Sequence, residues 1–206
     1  SYSYTATDRL AVGQTTAPPV AAAVKYAWSG FKVSSVQYAG SPVEYQYDRG
    51  RLANIARAGA VRDYAYDGAG RVVKVVLGNG DYVTRGYLPT GELTVEALHG
   101  ATGLEKWRTE YGYDAAGNRT HEWFTDPSGA RGYVHGYDVA GRVVASGDSY
   151  GNRREYEYDA RGNRVTEREY TAAGLTRSIA AIFNLRDELL GRTIVDTAGA
   201  VIGGEL

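Results

Sequence analysis

Alternating aromatic and polar positions, followed by a glycine turn, form the clearest pattern in this chain. In residues 156–165, Tyr156 and Tyr158 stand two apart and would therefore project from one face of an extended strand. Asp159 can end this strand, because its carboxylate accepts hydrogen bonds from backbone N–H groups a residue or two further on. Gly162 supplies the positive φ that a tight reversal requires. The pattern predicts a β-hairpin whose return strand opens at Arg164.

The same pattern recurs along most of the chain. Five clear copies carry a tyrosine followed by an aspartate: Tyr47 and Asp48, Tyr66 and Asp67, Tyr113 and Asp114, Tyr137 and Asp138, and Tyr158 and Asp159. The turn glycines of these copies are Gly50, Gly70, Gly117, Gly141 and Gly162, and an arginine follows each at Arg51, Arg71, Arg119, Arg142 and Arg164. More degenerate copies lie at residues 2–10, 26–30, 86–93 and 187–193. A repeat of this kind indicates one structural unit used many times.

The spacing of the copies predicts an antiparallel meander. The second tyrosines stand at 47, 66, 87, 113, 137 and 158, which are 19 to 26 residues apart by subtraction. Two strands of ordinary length and two short turns account for this distance. Turn residues also occur midway between copies, at residues 78–81, 126–129, 148–152 and 196–199. Connections this short cannot make parallel crossovers, so the expected fold class is all-β.

Two segments depart from the rhythm. Pro18 and Pro19 remove two successive backbone donors, so residues 15–19 are expected to form an irregular crossing or a sheet edge, where a domain boundary could fall. Residues 179–190 could form an amphipathic helix with Ile179, Ile182, Phe183 and Leu190 near one face. A strand is favoured there, because Gly174 bounds the segment and the residues around Gly191 resemble the turn of the repeat.

The domain prediction is a single repeat array over residues 1–206. Degenerate repeats occupy residues 1–40, well-formed repeats occupy 41–170, and residues 171–206 form a degenerate terminal repeat or cap.

Composition excludes several classes of protein. The 23 basic and 24 acidic residues nearly cancel and are interspersed, which argues against a nucleic-acid partner. Cysteine is absent, so neither disulfides nor thiolate metal sites can form. No window approaches 18 uninterrupted apolar residues, and no membrane span is expected. Because the chain starts at Ser1 and contains no methionine, we expect a processed product or a segment of a longer polypeptide.

The shared consensus, Tyr-x-Tyr-Asp-x-x-Gly-Arg/Asn followed by Val or Leu, resembles the YD repeat of Rhs-type proteins. That family includes bacterial Rhs and wall-associated toxins, the cocoon subunits of Tc toxins, and teneurins. The resemblance covers most of residues 40–200. It implies a curved β-strip that forms part of a hollow shell or a β-solenoid-like barrel, which in bacterial members encapsulates a toxin polypeptide. It also implies a protein that is secreted or located at the bacterial cell surface.

The repeated residues allow two interpretations. The tyrosines Tyr47, Tyr66, Tyr113, Tyr137 and Tyr158 could stack as a structural ladder on neighbouring strands. They could instead form an aromatic platform that binds carbohydrate. The aspartates are expected to cap turns rather than bind calcium, because one carboxylate per repeat is too few for 6–8 oxygen ligands. The arginines that follow them would form cross-strand ion pairs with these aspartates.

The sequence contains no motif that indicates catalysis. The three histidines, His99, His121 and His135, lack metal-binding spacing, and no nucleophile elbow or phosphate-binding loop occurs. We therefore expect a protein that is not an enzyme and needs no cofactor or metal. The first hypothesis is a structural module of a toxin-enclosing or toxin-presenting shell, with other shell segments or its own sheet edges as partners. The alternative is an adhesion module that binds cell-surface glycans or a receptor, and a hydrolase with a paired carboxylate is a third, weaker hypothesis.

Overall fold

The computed structural model describes residues 2–4, 10–14, 23–38 and 40–205, all of them in strands, turns and short connections. Nineteen strands follow one another: β1 Tyr2–Tyr4, β2 Leu10–Gln14, β3 Ala23–Ser29, β4 Lys32–Tyr38, β5 Val43–Asp48, β6 Arg51–Arg57, β7 Ala60–Tyr66, β8 Val72–Val76, β9 Tyr82–Tyr87, β10 Leu93–His99, β11 Glu105–Tyr113, β12 Arg119–Asp126, β13 Gly129–Tyr137, β14 Val143–Asp148, β15 Arg153–Tyr158, β16 Arg164–Thr171, β17 Gly174–Phe183, β18 Leu189–Asp196 and β19 Val201–Glu205. No helix occurs in the described residues, so none there is long and apolar enough to cross a membrane.

Consecutive strands pair in antiparallel ladders. Each strand from β1 to β9 pairs with its sequence neighbour, and so does each strand from β11 to β19. This confirms the predicted all-β antiparallel meander. Residues 179–190 form the end of β17, a turn and the start of β18, so the strand prediction is confirmed over the helix. The crossing predicted at residues 15–19 lies outside the described residues.

The chain divides into two compact units. The first contains Ser1–Gly86 and Ala97–Lys106, and the second contains Tyr87–Glu96 and Trp107–Leu206. Strands β9, β10 and β11 contribute residues to both units. The single-array organisation of residues 1–206 stays a prediction.

A β-bulge recurs at the second tyrosine of every clear repeat. In the β5–β6 ladder, Gln46 pairs with Asn54 and Tyr47 with Leu52, which leaves Ala53 as the extra residue. The register shifts in the same way at Tyr66, Tyr113, Tyr137 and Tyr158. Bulges bend a strand and re-aim its side chains. The degenerate copies share the feature, since the register also shifts at Trp28 and at Phe183.

The first unit is an amphipathic sheet. The ladder registers place Val36, Val43, Ile55, Tyr64 and Val75 on one face, because directly paired residues share a face. The opposite face carries Ser35, Glu44, Asn54, Asp63 and Lys74. Among the described residues of this unit, only Val75 and Ala97 are buried hydrophobic side chains.

The second unit carries ion pairs on both faces. On one face, Glu169 accepts from Arg177 Nε at 2.6 Å and lies 3.2 Å from Arg154 Nη2. On the other, Arg168 Nη1 lies 2.7 Å from Glu157. Because successive side chains on a strand point to opposite faces, neither side of β15–β17 is apolar. A second sheet packed on either face would have to desolvate these charges.

Candidate functional site

In each of the five clear repeats, the hydroxyl of the second tyrosine donates a hydrogen bond to a backbone carbonyl of the preceding strand. Tyr66 reaches Leu52 O and Tyr158 reaches Val143 O, each at 2.8 Å. The other three bonds run from Tyr47 to Val33 O at 3.0 Å, from Tyr113 to Leu93 O at 2.8 Å, and from Tyr137 to Arg119 O at 2.8 Å. The hydroxyl therefore gives tyrosine a structural advantage over phenylalanine at these positions.

Incomplete ladders between repeats explain where these bonds form. Strands β14 and β15 pair only at residues 145–147 and 153–155, and Tyr158 lies beyond the last pair. A carbonyl beyond the ladder still needs a donor, and the phenol supplies it. At Tyr158, the bulge and the hydrogen bond to Val143 O thus occur together, and the hydrogen bond joins β15 to the strand before it.

The turn aspartates accept several hydrogen bonds from their own turn. Asp138 Oδ1 accepts from the backbone N–H groups of Ala140 at 2.9 Å and Arg142 at 3.0 Å, and Oδ2 accepts from Arg142 Nε at 2.7 Å. Asp67 receives the same donors from Arg71. At Asp114 and Asp159, the side-chain amide of Asn118 or Asn163 replaces the guanidinium. The prediction of cross-strand Asp–Arg ion pairs was wrong. At Asp67 and Asp138 the arginine four residues on pairs with the aspartate within the same turn, because its Nε is already in reach there. Arg119 and Arg164 instead pair with Glu122 and Glu167.

These hydrogen bonds hold the aspartates in their ionised form. Donation from the Arg142 side chain is the largest cause that lowers the pKa of Asp138 below its ordinary value, and donation from the Arg71 backbone does the same for the pKa of Asp67. For Asp114 and Asp159, the neighbouring asparagine amide lowers the pKa most. The carboxylates are therefore committed to the turns.

The turn glycines all adopt positive φ. The values are 86° at Gly50, 87° at Gly70, 85° at Gly117, 76° at Gly141 and 96° at Gly162. Asp48 differs from the other aspartates, because it pairs directly with Arg51 across a two-residue loop in which Arg49 also has a positive φ of 45°. The loop type seen at Asp138 also occurs midway between repeats. There Asp148 accepts hydrogen bonds from the backbone N–H groups of Tyr150 and Asn152 and from the side-chain amide of Asn152.

Basic side chains stack on the tyrosines of the next repeat. The guanidinium of Arg51 lies 5.6 Å from the ring centroid of Tyr66, and that of Arg142 lies 4.6 Å from Tyr158. Each also donates to the backbone of the next turn, Arg51 to Asp67 O and Arg142 to Asp159 O, both at 3.3 Å. Lys32 stacks in the same way over Tyr47 and donates to Gly50 O.

These contacts link successive turns. We call them the turn ladder, which consists of Lys32, Arg51 and Arg142 and the turns that they contact at Gly50, Asp67 and Asp159. Asn163 extends it, because its amide donates to Asp187 Oδ1 of the following turn at 2.8 Å. The five tyrosines proposed as a carbohydrate platform are held in this framework by their hydroxyls. No group of three or more potential metal ligands occurs among the described residues.

The comparisons with known proteins agree with this repeat geometry. The family model described as RHS Repeat matches residues 48–82, which contain Asp48, Tyr66 and Asp67. This segment is similar in sequence to an Rhs repeat. The match confirms the resemblance to YD-repeat and Rhs-repeat proteins. No curated protein matches the chain by sequence.

Solved structures with the same fold include toxin complexes. The chain is 12% identical to a chain of a TcdB2-TccC3-TEV crystal structure, with a TM-score of 0.54 over 98% of this chain and 14% of that one. A TcdB2-TccC3 structure without the hypervariable C-terminal region gives 11% identity and a TM-score of 0.56, with coverage of 99% and 14%. A Tc holotoxin pore of Photorhabdus luminescens gives 12% identity and a TM-score of 0.53, with coverage of 97% and 14%. The repeats of this chain thus share the fold of a segment of those chains, and the chain spans only about one seventh of their length.

Sequence patterns missed the bulge and the turn ladder. A signal for the bulge was present in the sequence, as pairs of adjacent apolar residues such as Val72-Val73 and Val143-Val144. Strict alternation of apolar and polar residues along a strand would place only one apolar residue there. The stacked cations had no comparable signal, because Arg51 and Tyr66, 15 positions apart in the sequence, become neighbours only through strand pairing.

Proposed function

We propose that this chain is a non-catalytic structural module in the wall of a secreted bacterial Rhs-repeat shell that encloses or presents a toxin polypeptide. The turn ladder carries the proposal, because Lys32, Arg51, Arg142 and Asn163 each contact the turn of the following repeat. Ion pairs on both faces of the second unit support a wall one sheet thick. The fold shared with segments of TcdB2-TccC3 chains also supports it.

The partners follow from this role. Further wall segments would pair with the sheet edges, since an unpaired edge invites strand addition. A toxin polypeptide would be the enclosed partner. The array of residues 1–206 would act as one piece of such a wall.

Protease protection of the complete gene product that contains residues 1–206 tests the proposal. We expect at least one non-repeat segment to resist trypsin in the native protein and to become cleavable when mild urea is combined with Tyr66→Phe and Tyr158→Phe, which loosen the wall. Tyr133→Phe is the matched control and should leave the protection unchanged. If every non-repeat segment is cleaved as fast as a denatured peptide, or none exists, the enclosure proposal is wrong.

A glycan- or receptor-binding module is the second candidate, and exposed tyrosines outside the motif favour it. Tyr133 and Tyr150 have 54% and 70% of their surface exposed and line one cleft with Phe124 and Arg131. Such rings can stack on sugar C–H faces. A glycan array probed with the intact chain and with the Tyr133→Ala/Tyr150→Ala variant tests this. Binding that the variant loses would support adhesion, and an array without any signal would contradict it.

A further inference from the structure

A groove opens on the apolar face of the first unit. Its volume is about 720 Å³, which lies within the usual range of ligand sites. Val43, Ile55, Ala60 and Leu77 form its apolar lining, and Gly78 lies at one end. A Cβ at Gly78 would come within 3.1 Å of Val61 N, so the backbones approach closely there.

Two arginines, Arg57 and Arg62, flank this groove. Arg62 pairs directly with Ile55 in the β6–β7 ladder, and Arg57 pairs with Ala60, so both project from the same face as the apolar lining. We call the site the arginine groove, formed by Val43, Ile55, Arg57, Ala60, Arg62 and Leu77.

Neither guanidinium has an ion-pair or hydrogen-bond partner within the part of the chain that the structure describes. Several other arginines of this protein do have carboxylate partners, as Arg71 has Asp67 and Arg177 has Glu169. Two acidic side chains of the neighbouring strands, Glu44 on β5 and Asp63 on β7, belong to the opposite face. Two positive charges therefore border an apolar surface without compensation.

We propose that the arginine groove is a docking site for a peptide segment that carries apolar side chains next to carboxylates. The apolar side chains would cover Val43, Ile55 and Leu77. The carboxylates would pair with Arg57 and Arg62, whose planar guanidinium groups suit bidentate contact. Because the lining is apolar, a nucleic-acid phosphate backbone would satisfy the charges only and leave the floor uncovered. The inference does not depend on whether the chain forms a shell.

Fluorescence anisotropy with labelled peptides tests the proposal on the intact chain. The probe is a peptide of alternating leucine and glutamate, and the two comparison peptides alternate leucine with lysine and glycine with glutamate. The leucine–glutamate peptide should bind, and the Arg57→Gln/Arg62→Gln variant should weaken its binding about tenfold or more, since each charge-assisted bond contributes roughly a factor of ten.

Matched variants separate the groove from general effects. Arg186→Gln, at an exposed turn of the second unit, should leave the affinity unchanged. Circular dichroism of the double variant should equal that of the parent, because Arg57 and Arg62 hold no described partner. Equal binding of the leucine–lysine or glycine–glutamate peptide, or unchanged binding by the double variant, would overturn the proposal.

Discussion

At the residue scale, the second tyrosine of the motif connects each clear repeat to the strand before it. Its ring fills the space where neighbouring strands separate, its hydroxyl satisfies a carbonyl 14 to 20 residues upstream, and a cation covers the ring in three repeats. The aspartate beside it is equally committed, because its oxygens accept from the turn that follows. Sequence alone identified both residue types, but it could not distinguish a binding platform from a structural contact.

Replacing Tyr66 or Tyr158 by phenylalanine should lower the free energy of unfolding. The change removes one hydrogen bond and leaves Leu52 O or Val143 O without this donor, at a cost of about 1 kcal/mol each. Urea unfolding followed by circular dichroism measures the loss. The control is Tyr133→Phe, whose hydroxyl has no described partner and whose loss should change stability by less than about 0.5 kcal/mol. Equal losses in all three variants would argue against the carbonyl contacts.

The turn aspartates should make stability depend on acid pH. Their pKa values are lowered in the folded state by hydrogen bonds, so the unfolded chain binds protons first. Their contribution is fully present above the ordinary value of 3.8 and is lost as pH falls through the lower folded values. The urea midpoint measured between pH 7 and pH 2 should therefore fall at the acid end. Asp138→Asn should flatten this fall, and a parallel decline in parent and variant would contradict the assignment.

At the element scale, the hairpins were predictable and their irregularities were not. Alternation and turn residues determine strand and reversal locally, which is why β15 and β16 lie where Tyr156–Val165 suggested. The bulge depends on which residues face each other across a ladder. The need for glycine at one strand position was likewise not predictable from local sequence. Gly132 has no room for a Cβ, because Glu122 O and the Trp123 ring on β12 lie over it.

Alanine at Gly132 should destabilise the β12–β13 ladder. A Cβ there would lie 2.2 Å from Glu122 O, so a strand must shift, and overpacking of this kind costs about 1–3 kcal/mol. Gly136→Ala on the same strand is the matched control, because its Cβ would make ordinary contacts at 3.6 Å. Amide hydrogen exchange should show faster exchange across β12 and β13 in the first variant only. Comparable exchange in both variants would show that the close approach is unimportant.

At the scale of the whole molecule, stability comes from neighbouring repeats. Few described side chains are fully buried, and the backbone ladders join each strand to its sequence neighbours. A chain built in this way behaves as a row of units coupled to their neighbours. The two compact units nevertheless differ, since one face of the first is mainly apolar apart from Arg57 and Arg62, and the second carries ion pairs on both faces.

Removing one whole repeat should preserve the fold. Deletion of residues 138–158 joins Tyr137 to Asp159, removes β14 and β15 together, and keeps the order of tyrosine, aspartate and turn. We expect a β-sheet spectrum with a lower midpoint of thermal unfolding. Deletion of residues 138–148 removes a single strand, reverses the direction of everything that follows, and should prevent cooperative folding. Similar behaviour of the two deletions would contradict coupling by repeats.

The sequence by itself determined the strands, the turns and the length of the repeat, because alternation, turn aspartates and turn glycines act between residues a few positions apart. Only the tertiary structure decided what the repeated side chains do. The partner of Tyr158 is Val143 O, and the partner of Arg142 is the ring of Tyr158, and both depend on strand register. The arginine groove likewise exists only because β5, β6 and β7 bring Val43, Arg57 and Arg62 to one face.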